Sequence, residues 1–209
     1  MSNNVKTVLV AGTGDIAAEY CKILKNMGLK PDVIGRNTEK AAKFGELNGV
    51  IAYGGGLEDY LANKKVRYDY AIVATDVMSL CSNTCVLIKN GIKRIFTEKP
   101  AGMNKMEIQR ICELSDEYDA KVYVAYNRRF FSSTAKAMEI IKEDGCVKSF
   151  NFEFTEWAHS IEPLSTPAPI KEAWFLANST HVVDLAFFLG GEPVEMNSYV
   201  KGSLSWHKD

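Results

Sequence analysis

The sequence predicts an α/β fold, with a doubly wound parallel sheet over residues 1–125 and a short α+β domain with a mainly antiparallel sheet over residues 126–209. Two observations predict the first domain. Short β-branched runs alternate with segments of helical periodicity, as in βαβ units, and a glycine-rich turn directly follows the first run. One observation predicts the second. Within 147–157, three phenylalanines alternate with polar residues, as in an antiparallel strand with one solvated face.

The first domain is predicted to contain six strands separated by five helices. Each strand is a short apolar run, and glycine or a polar residue follows most of the helical segments. The predicted strands are 8–11, 32–35, 50–53, 70–74, 95–97 and 121–125, and the predicted helices are 16–27, 39–47, 57–63, 77–90 and 105–118.

The second domain is predicted from a different pattern. Helices are expected over 134–143 and 178–189, with strands over 147–157 and 198–206. Three prolines lie between His159 and Ile170, and they predict an irregular loop without a helix or strand.

Composition and charge argue against several classes of protein. Lys and Arg total 25 against 26 acidic residues, so the formal net charge is only -1. A charge this small does not attract nucleic acid or an anionic membrane. No apolar stretch approaches the ~20 residues that span a bilayer, and the N-terminus lacks the apolar core of a signal peptide, so we expect a cytoplasmic protein without membrane association. The five cysteines and three histidines lack metal-ligand spacing, and we expect neither a metal site nor disulfides.

The loop from Gly12 to Ala17 has the pattern GxGxxA between a strand and a helix. The first glycine permits a tight turn, and the second lets the backbone approach a pyrophosphate. The following helix offers N–H donors and the positive end of its dipole. The alternative is a purely structural turn. The pattern favours a dinucleotide site formed by Gly12, Thr13, Gly14, Asp15 and Ile16.

The end of the second strand bears on the choice of cofactor. An acidic residue usually holds the ribose hydroxyls of NAD there, whereas this chain has Gly35 followed by Arg36 and Asn37. A guanidinium can bind a 2′-phosphate through two hydrogen bonds. A solvated arginine at a helix start is the alternative. We therefore expect NADP(H) as the preferred cofactor, with NAD(H) still open.

Four motifs in register together resemble the Gfo/Idh/MocA oxidoreductase family. They are the GxGxxA loop, Glu98-Lys99-Pro100 after the fifth strand, Asn127-Arg128-Arg129-Phe130 after the sixth, and His181-Val182-Val183-Asp184 at the start of a helix that ends in Leu189-Gly190-Gly191. The resemblance implies a Rossmann domain followed by a domain with an open, largely antiparallel sheet. It also implies hydride transfer between a nicotinamide cofactor and a hydroxyl or keto group of a sugar, cyclitol or nucleotide sugar.

The resemblance also implies roles for individual residues. His181 has the intrinsic pKa of a general acid and base, and Lys99 would stabilise a developing alkoxide. The resemblance places Glu98 and Thr75 near the nicotinamide ribose and implies a cis Lys99–Pro100 bond, although X–Pro bonds are mostly trans. The expected substrate-binding residues are Asn127, Arg129, Asn178 and Asp184.

The sequence departs from the family pattern in two places. Many members carry an acid four residues before the histidine, where this chain has Ala177. Members also usually continue further, and two strands alone make a marginal sheet with exposed edges, so we expect a homodimer with a shortened C-terminal domain. The departures leave open a non-catalytic dinucleotide-binding sensor or regulatory subunit, or a fragment that is inactive alone.

Overall fold

A computed structural model of the chain describes residues 6–64 and 66–207. The extreme ends of the two predicted domains, residues 1–5 and 208–209, therefore lie outside the described residues. Contacts within the chain divide it into two compact units, Met1–Ala125 and Tyr126–Asp209.

The first unit contains one six-stranded sheet, and every neighbouring pair of strands is parallel. The strand order β3-β2-β1-β4-β5-β6 is that of a doubly wound dinucleotide-binding fold. The predicted α/β fold is confirmed for this unit. The strands are β1 (Val8–Ala11), β2 (Asp32–Ile34), β3 (Ile51–Tyr53), β4 (Tyr70–Val73), β5 (Arg94–Thr97) and β6 (Lys121–Val124).

Five α-helices connect these strands. Asn37 and Asn104 cap two of them, because each side chain accepts a hydrogen bond from the backbone N–H three residues later, at 2.9 and 3.0 Å. A 3₁₀ turn, Val77–Ser79, precedes the fourth helix. The helices are α1 (Asp15–Asn26), α2 (Thr38–Asn48), α3 (Leu57–Asn63), α4 (Leu80–Lys89) and α5 (Lys105–Glu117).

The core of the first unit lies on both faces of the sheet. Successive residues of β1 point to opposite faces, so Leu9 packs with Leu87 of α4 and Ile95 of β5, whereas Val10 packs with Cys21 of α1. All five of these side chains are wholly buried. This two-sided burial explains why the strands read as continuous apolar runs.

The second unit is built from helices. A 3₁₀ turn, Asn127–Phe130, leads into the first of them, and a π-helical turn, Phe175–Ser179, runs directly into the last. The α-helices are α6 (Ser132–Asp144), α7 (Ala158–Ile161), α8 (Ala168–Glu172) and α9 (Thr180–Gly190).

The antiparallel sheet predicted for the second unit is not found. Segments 147–157 and 198–206 form no strand, and the described residues of this unit contain a single antiparallel bridge, between Leu204 and His207. The rings of Phe150 and Phe152 instead lie 6.3 and 6.4 Å from the ring of Phe187 on α9. An alternating pattern specifies one apolar face, and here Phe150 and Phe152 on that face contact a helix without any strand ladder and stay partly exposed.

The proline-rich segment is also more regular than predicted. Short helices α7 and α8 lie at its two ends, so the expectation of an irregular loop over 159–170 was wrong there. Pro169 lies in the first turn of α8, where a helix tolerates proline because the missing N–H has no partner within the helix.

Candidate functional site

All of the predicted cofactor residues follow the carboxyl ends of strands in the first unit. Because these strands are parallel, their carboxyl ends lie at one edge of the sheet, where doubly wound folds bind ligands. Gly12 N donates to Ile34 O at 2.8 Å and Glu98 N to Val73 O at 2.9 Å, which ties the loops to this edge. Gly12 to Ile16 follow β1, Arg36 and Asn37 follow β2, Thr75 follows β4, and Glu98 and Lys99 follow β5.

The glycine loop after β1 fits a dinucleotide. Gly12 has φ +128°, and a Cβ there would lie 2.1 Å from the carbonyl oxygen of Ala74, so only glycine is accommodated. A Cβ at Gly14 would meet no atom within 4 Å, so the backbone is open to a ligand at this point. Helix α1 begins at Asp15, and its N-terminal N–H groups suit a phosphate.

Arg36 and Asn37, in the loop after β2, have different local roles. Arg36 donates from Nη2 to Asp76 Oδ2 at 3.1 Å, and its side chain is 85% exposed. Asn37 uses Oδ1 to cap α2 by accepting from Lys40 N. Asp76 follows Thr75, whose hydroxyl oxygen accepts from Asn83 Nδ2 at 3.2 Å. The charged group exposed after β2 is therefore Arg36, whereas the side-chain oxygen of Asn37 is used to cap α2.

The Glu98-Lys99-Pro100 motif forms a tight turn at the end of β5. The Lys99–Pro100 peptide bond is cis, and Ala101 N donates to Glu98 O at 3.0 Å across the turn. Glu98 and Lys99 are half-buried, while Pro100 and Ala101 are buried. The two charged side chains of the turn are therefore partly exposed, whereas burial of Pro100 and Ala101 fixes the rest of the turn.

Tyr20 of α1 is a residue of this edge that the sequence analysis did not single out. Its hydroxyl donates to Glu98 Oε1 at 2.5 Å, and its ring meets Phe96 edge to face at 5.8 Å. Burial raises the pKa of Tyr20 well above its usual value, and the bond to Glu98 adds to the rise. The phenol therefore stays protonated and holds the carboxylate in place. The residue type was the available signal, since a buried phenol needs a partner, but the sequence did not show which residue that partner is.

In the second unit, three predicted residues come together around Tyr126. Arg129 and Asp184 form a two-pronged ion pair, in which Arg129 Nε lies 2.8 Å from Asp184 Oδ2 and Nη2 bonds Oδ1. The guanidinium also lies over the ring of Phe188 at 4.9 Å. The ring of His181 stands edge to face with that of Tyr126 at 5.9 Å.

The electrostatics of this cluster follow from its contacts. The hydrogen bonds to Asp184 raise the pKa of Arg129, which keeps the guanidinium charged. Burial raises the pKa of Tyr126, with an opposing contribution from a hydrogen bond to Thr180. The side chain of Asp184 is only 10% exposed, so the carboxylate depends on Arg129 as its counter-ion.

Glu156 is a second residue that the sequence reasoning did not single out. Its Oε1 accepts from Asn178 Nδ2 at 2.8 Å and from Ser179 Oγ at 2.9 Å. Both donors belong to the π-helical turn before α9, and turns of this kind occur often at functional sites. A carboxylate therefore reaches the turn before His181 from another segment, although Ala177 itself is apolar and buried. Asn127, the remaining predicted residue, is exposed in its 3₁₀ turn.

The part of the chain that the structure describes gives two further findings. It brings no three His, Cys, Asp or Glu residues together in a group that could hold a metal ion. None of its helices combines the length and the apolar character needed to cross a membrane.

Comparison with known proteins identifies relatives. Residues 6–126 match the family described as "Oxidoreductase family, NAD-binding Rossmann fold". The myo-inositol 2-dehydrogenase of Thermotoga maritima is 25% identical over 126 residues, which are 57% of this chain and 37% of that enzyme.

Solved structures show the same fold. The WlbA dehydrogenase from Bordetella pertussis, solved in complex with NADH and UDP-GlcNAcA, superposes with a TM-score of 0.71 at 18% identity, over 88% of this chain and 59% of that one. Myo-inositol 2-dehydrogenase from Lactobacillus plantarum gives 0.65 at 15% identity, over 89% and 56%. The chain thus spans little more than half of either structure.

Proposed function

Because the chain belongs to the Gfo/Idh/MocA oxidoreductase family, we propose that it is an NAD(P)-dependent dehydrogenase or reductase. It transfers hydride between nicotinamide and a hydroxyl or keto group of a sugar, cyclitol or nucleotide sugar. The observation that carries this proposal is the meeting of the glycine loop and the Glu98-Lys99-Pro100 turn at one edge of the sheet.

The cofactor is held by the first unit. When bound, the nicotinamide ring supplies the carbon that accepts or donates the hydride. Backbone N–H groups at the start of α1 bind the pyrophosphate, and Thr75 and Glu98 bind the nicotinamide ribose. Arg36, assisted by Asn37, binds a 2′-phosphate, which supports NADP(H) as the preferred form.

Proton transfer and charge stabilisation fall to His181 and Lys99. In the oxidative direction the His181 imidazole accepts the hydroxyl proton, and in the reductive direction it returns a proton to the new alkoxide. The Lys99 ammonium stabilises negative charge on that oxygen as the hydride moves.

Polar side chains of the second unit bind the substrate hydroxyls. Asn127 and Asn178 are exposed amides, and Arg129 with Asp184 offers a charged pair. The names of the Thermotoga and Lactobacillus enzymes and the UDP-GlcNAcA in the Bordetella structure support a polyhydroxylated substrate.

The first experiment is a titration of the protein with NADPH and with NADH, followed by nicotinamide fluorescence. Binding of at least one is expected, and no binding of either contradicts the proposal. Turnover is then measured with myo-inositol and related polyols in the presence of NADP⁺ or NAD⁺.

Two variants separate an enzyme from a sensor. Lys99→Ala and His181→Ala should each lower kcat by roughly 100-fold or more while cofactor binding persists. Turnover that survives both substitutions would contradict these roles. Cofactor binding without any turnover in the unaltered protein would favour the dinucleotide-binding sensor.

We also propose that the protein forms a homodimer and is located in the cytoplasm. Phe150 and Phe152 are 46% and 43% exposed, and they border an apolar cavity of about 340 Å³ against α9. Exposed apolar surface of this kind supports a homodimer formed through the second unit. A monomer in light scattering at micromolar concentration would contradict it. The cytoplasmic location rests on the sequence alone.

A further inference from the structure

Arg36 and Asp76 form an ion pair beyond the carboxyl end of β1, at the edge of the sheet that carries the candidate cofactor residues. Arg36 follows β2 and Asp76 follows β4, and these strands flank β1 on its two sides. The pair, at 3.1 Å, therefore spans the strand whose carboxyl end leads into the glycine loop. An adenosine held at that loop would lie beside both side chains.

The two partners of this pair are not equally constrained. Asp76 Oδ2 also accepts from Ser79 Oγ at 2.8 Å, and Ser79 N donates to Asp76 O at 3.0 Å, so the carboxylate is fixed to the 3₁₀ turn before α4. The Arg36 side chain is 85% exposed against 42% for Asp76. Asp76 is thus a stationary anion, and Arg36 is the partner that can move.

The charge of Asp76 has opposite consequences for the two cofactors. A 2′-phosphate carries about two negative charges, and to bind Arg36 it must compete with a carboxylate already paired to the guanidinium. A ribose 2′-hydroxyl carries no charge and can donate a hydrogen bond to that carboxylate, as it does to the acid after the second strand in other dinucleotide folds. In this chain Gly35 follows that strand, and the nearby acid comes from the loop after β4.

We propose that Asp76 is a specificity-determining residue for the cofactor, which holds Arg36 and disfavours the 2′-phosphate. Arg36 favours NADP(H), and Asp76 limits that preference so that NAD(H) is also accepted. This assignment rests on the proposed function, because it concerns the adenosine end of the same cofactor site.

The test compares Asp76→Asn with the unaltered protein by fluorescence titration with NADPH and NADH. The substitution keeps the shape of the side chain and removes its charge. NADPH should bind about tenfold more tightly. The dissociation constant of NADH should change by less than about threefold, because the amide oxygen of the new asparagine can still accept from the ribose 2′-hydroxyl. The matched control is Asp116→Asn, an exposed acid on α5, which should leave the ratio of the two constants unchanged.

A second variant checks the role of the partner. Arg36→Ala should raise the dissociation constant of NADPH about tenfold and change that of NADH by less than about threefold. An unchanged ratio in Asp76→Asn, or a shift equal to that of Asp116→Asn, would overturn the assignment while cofactor binding itself remained. If neither cofactor binds to any of these proteins, the proposed function fails, and the assignment fails with it.

Discussion

The two units of the chain are ordered by different interactions. In the first, six strands pair in one ladder and side chains such as Leu9, Leu87 and Ile95 are wholly buried. In the described part of the second, Ile161 is the one large apolar side chain buried to a similar degree. The other buried residues there are small or polar, namely Thr134, Ala177, Ser179 and Thr180.

This contrast shows how the two candidate sites are held. The edge of the sheet that carries the candidate cofactor residues belongs to a six-stranded parallel sheet, so its geometry is set by backbone pairing and by apolar packing on both faces. The cluster around His181 depends on polar contacts, such as those of Arg129 with Asp184 and of Glu156 with Asn178. Substitutions that damage backbone fit should therefore act most strongly in the first unit, and loss of a charge should act most strongly in the second.

The largest effect is expected for Gly12→Ala. The new Cβ would lie 2.1 Å from the Ala74 oxygen at a residue with φ +128°, so the loop must move. We expect a loss of about 3 kcal/mol in the free energy of unfolding together with loss of NADPH and NADH binding. Urea unfolding followed by far-UV circular dichroism measures the first effect, and fluorescence titration measures the second.

Gly14→Ala is the matched control for that substitution. A Cβ there meets no atom within 4 Å, and the residue has φ −98°. The free energy of unfolding should fall by less than about 1 kcal/mol, the usual penalty for alanine at a helix N-cap. Equal destabilisation by the two substitutions would show that packing at Gly12 does not matter.

An intermediate effect is expected for Asp184→Asn in the second unit. The amide cannot neutralise the guanidinium of Arg129, which is 40% exposed and so keeps part of its solvation. We expect the free energy of unfolding to fall by about 2 kcal/mol. Because all three tryptophans, Trp157, Trp174 and Trp206, lie in this unit, tryptophan fluorescence during urea unfolding reports on it selectively.

Asp144→Asn, an exposed acid at the end of α6, is the control and should change stability by less than about 0.5 kcal/mol. If the two substitutions behave alike, the Arg129–Asp184 pair does not stabilise the second unit.

The smallest effect is expected for Tyr20→Phe. The ring and its contact with Phe96 are kept, but Glu98 loses its phenolic donor. We expect about 1.5 kcal/mol of destabilisation and a severalfold weaker affinity for NADPH. Tyr123→Phe, at a tyrosine that is 55% exposed, is the control and should alter neither quantity. Unchanged cofactor affinity in Tyr20→Phe would show that the phenol does not position Glu98 for binding.

Much of the first unit and part of the cofactor edge could be predicted from the sequence. The strands could be placed within a residue or two, because burial on both faces of a parallel sheet requires short apolar runs. Arg36, Thr75 and Lys99 could be located at strand ends for the same reason. Tyr20 and Glu156 could not be singled out, because each acts through a partner distant in the chain, 78 and 22 residues away for the bonds to Glu98 and Asn178.

The sequence alone determined the parallel α/β architecture, the glycine loop and the family, because each depends on local patterns repeated in a fixed order. The tertiary structure decided which charges pair, as in Arg36 with Asp76 and Arg129 with Asp184. It also decided that Phe150 and Phe152 contact helix α9 without forming a strand. Periodicity reports that a face is apolar, but the partner that covers this face depends on the path of the whole chain.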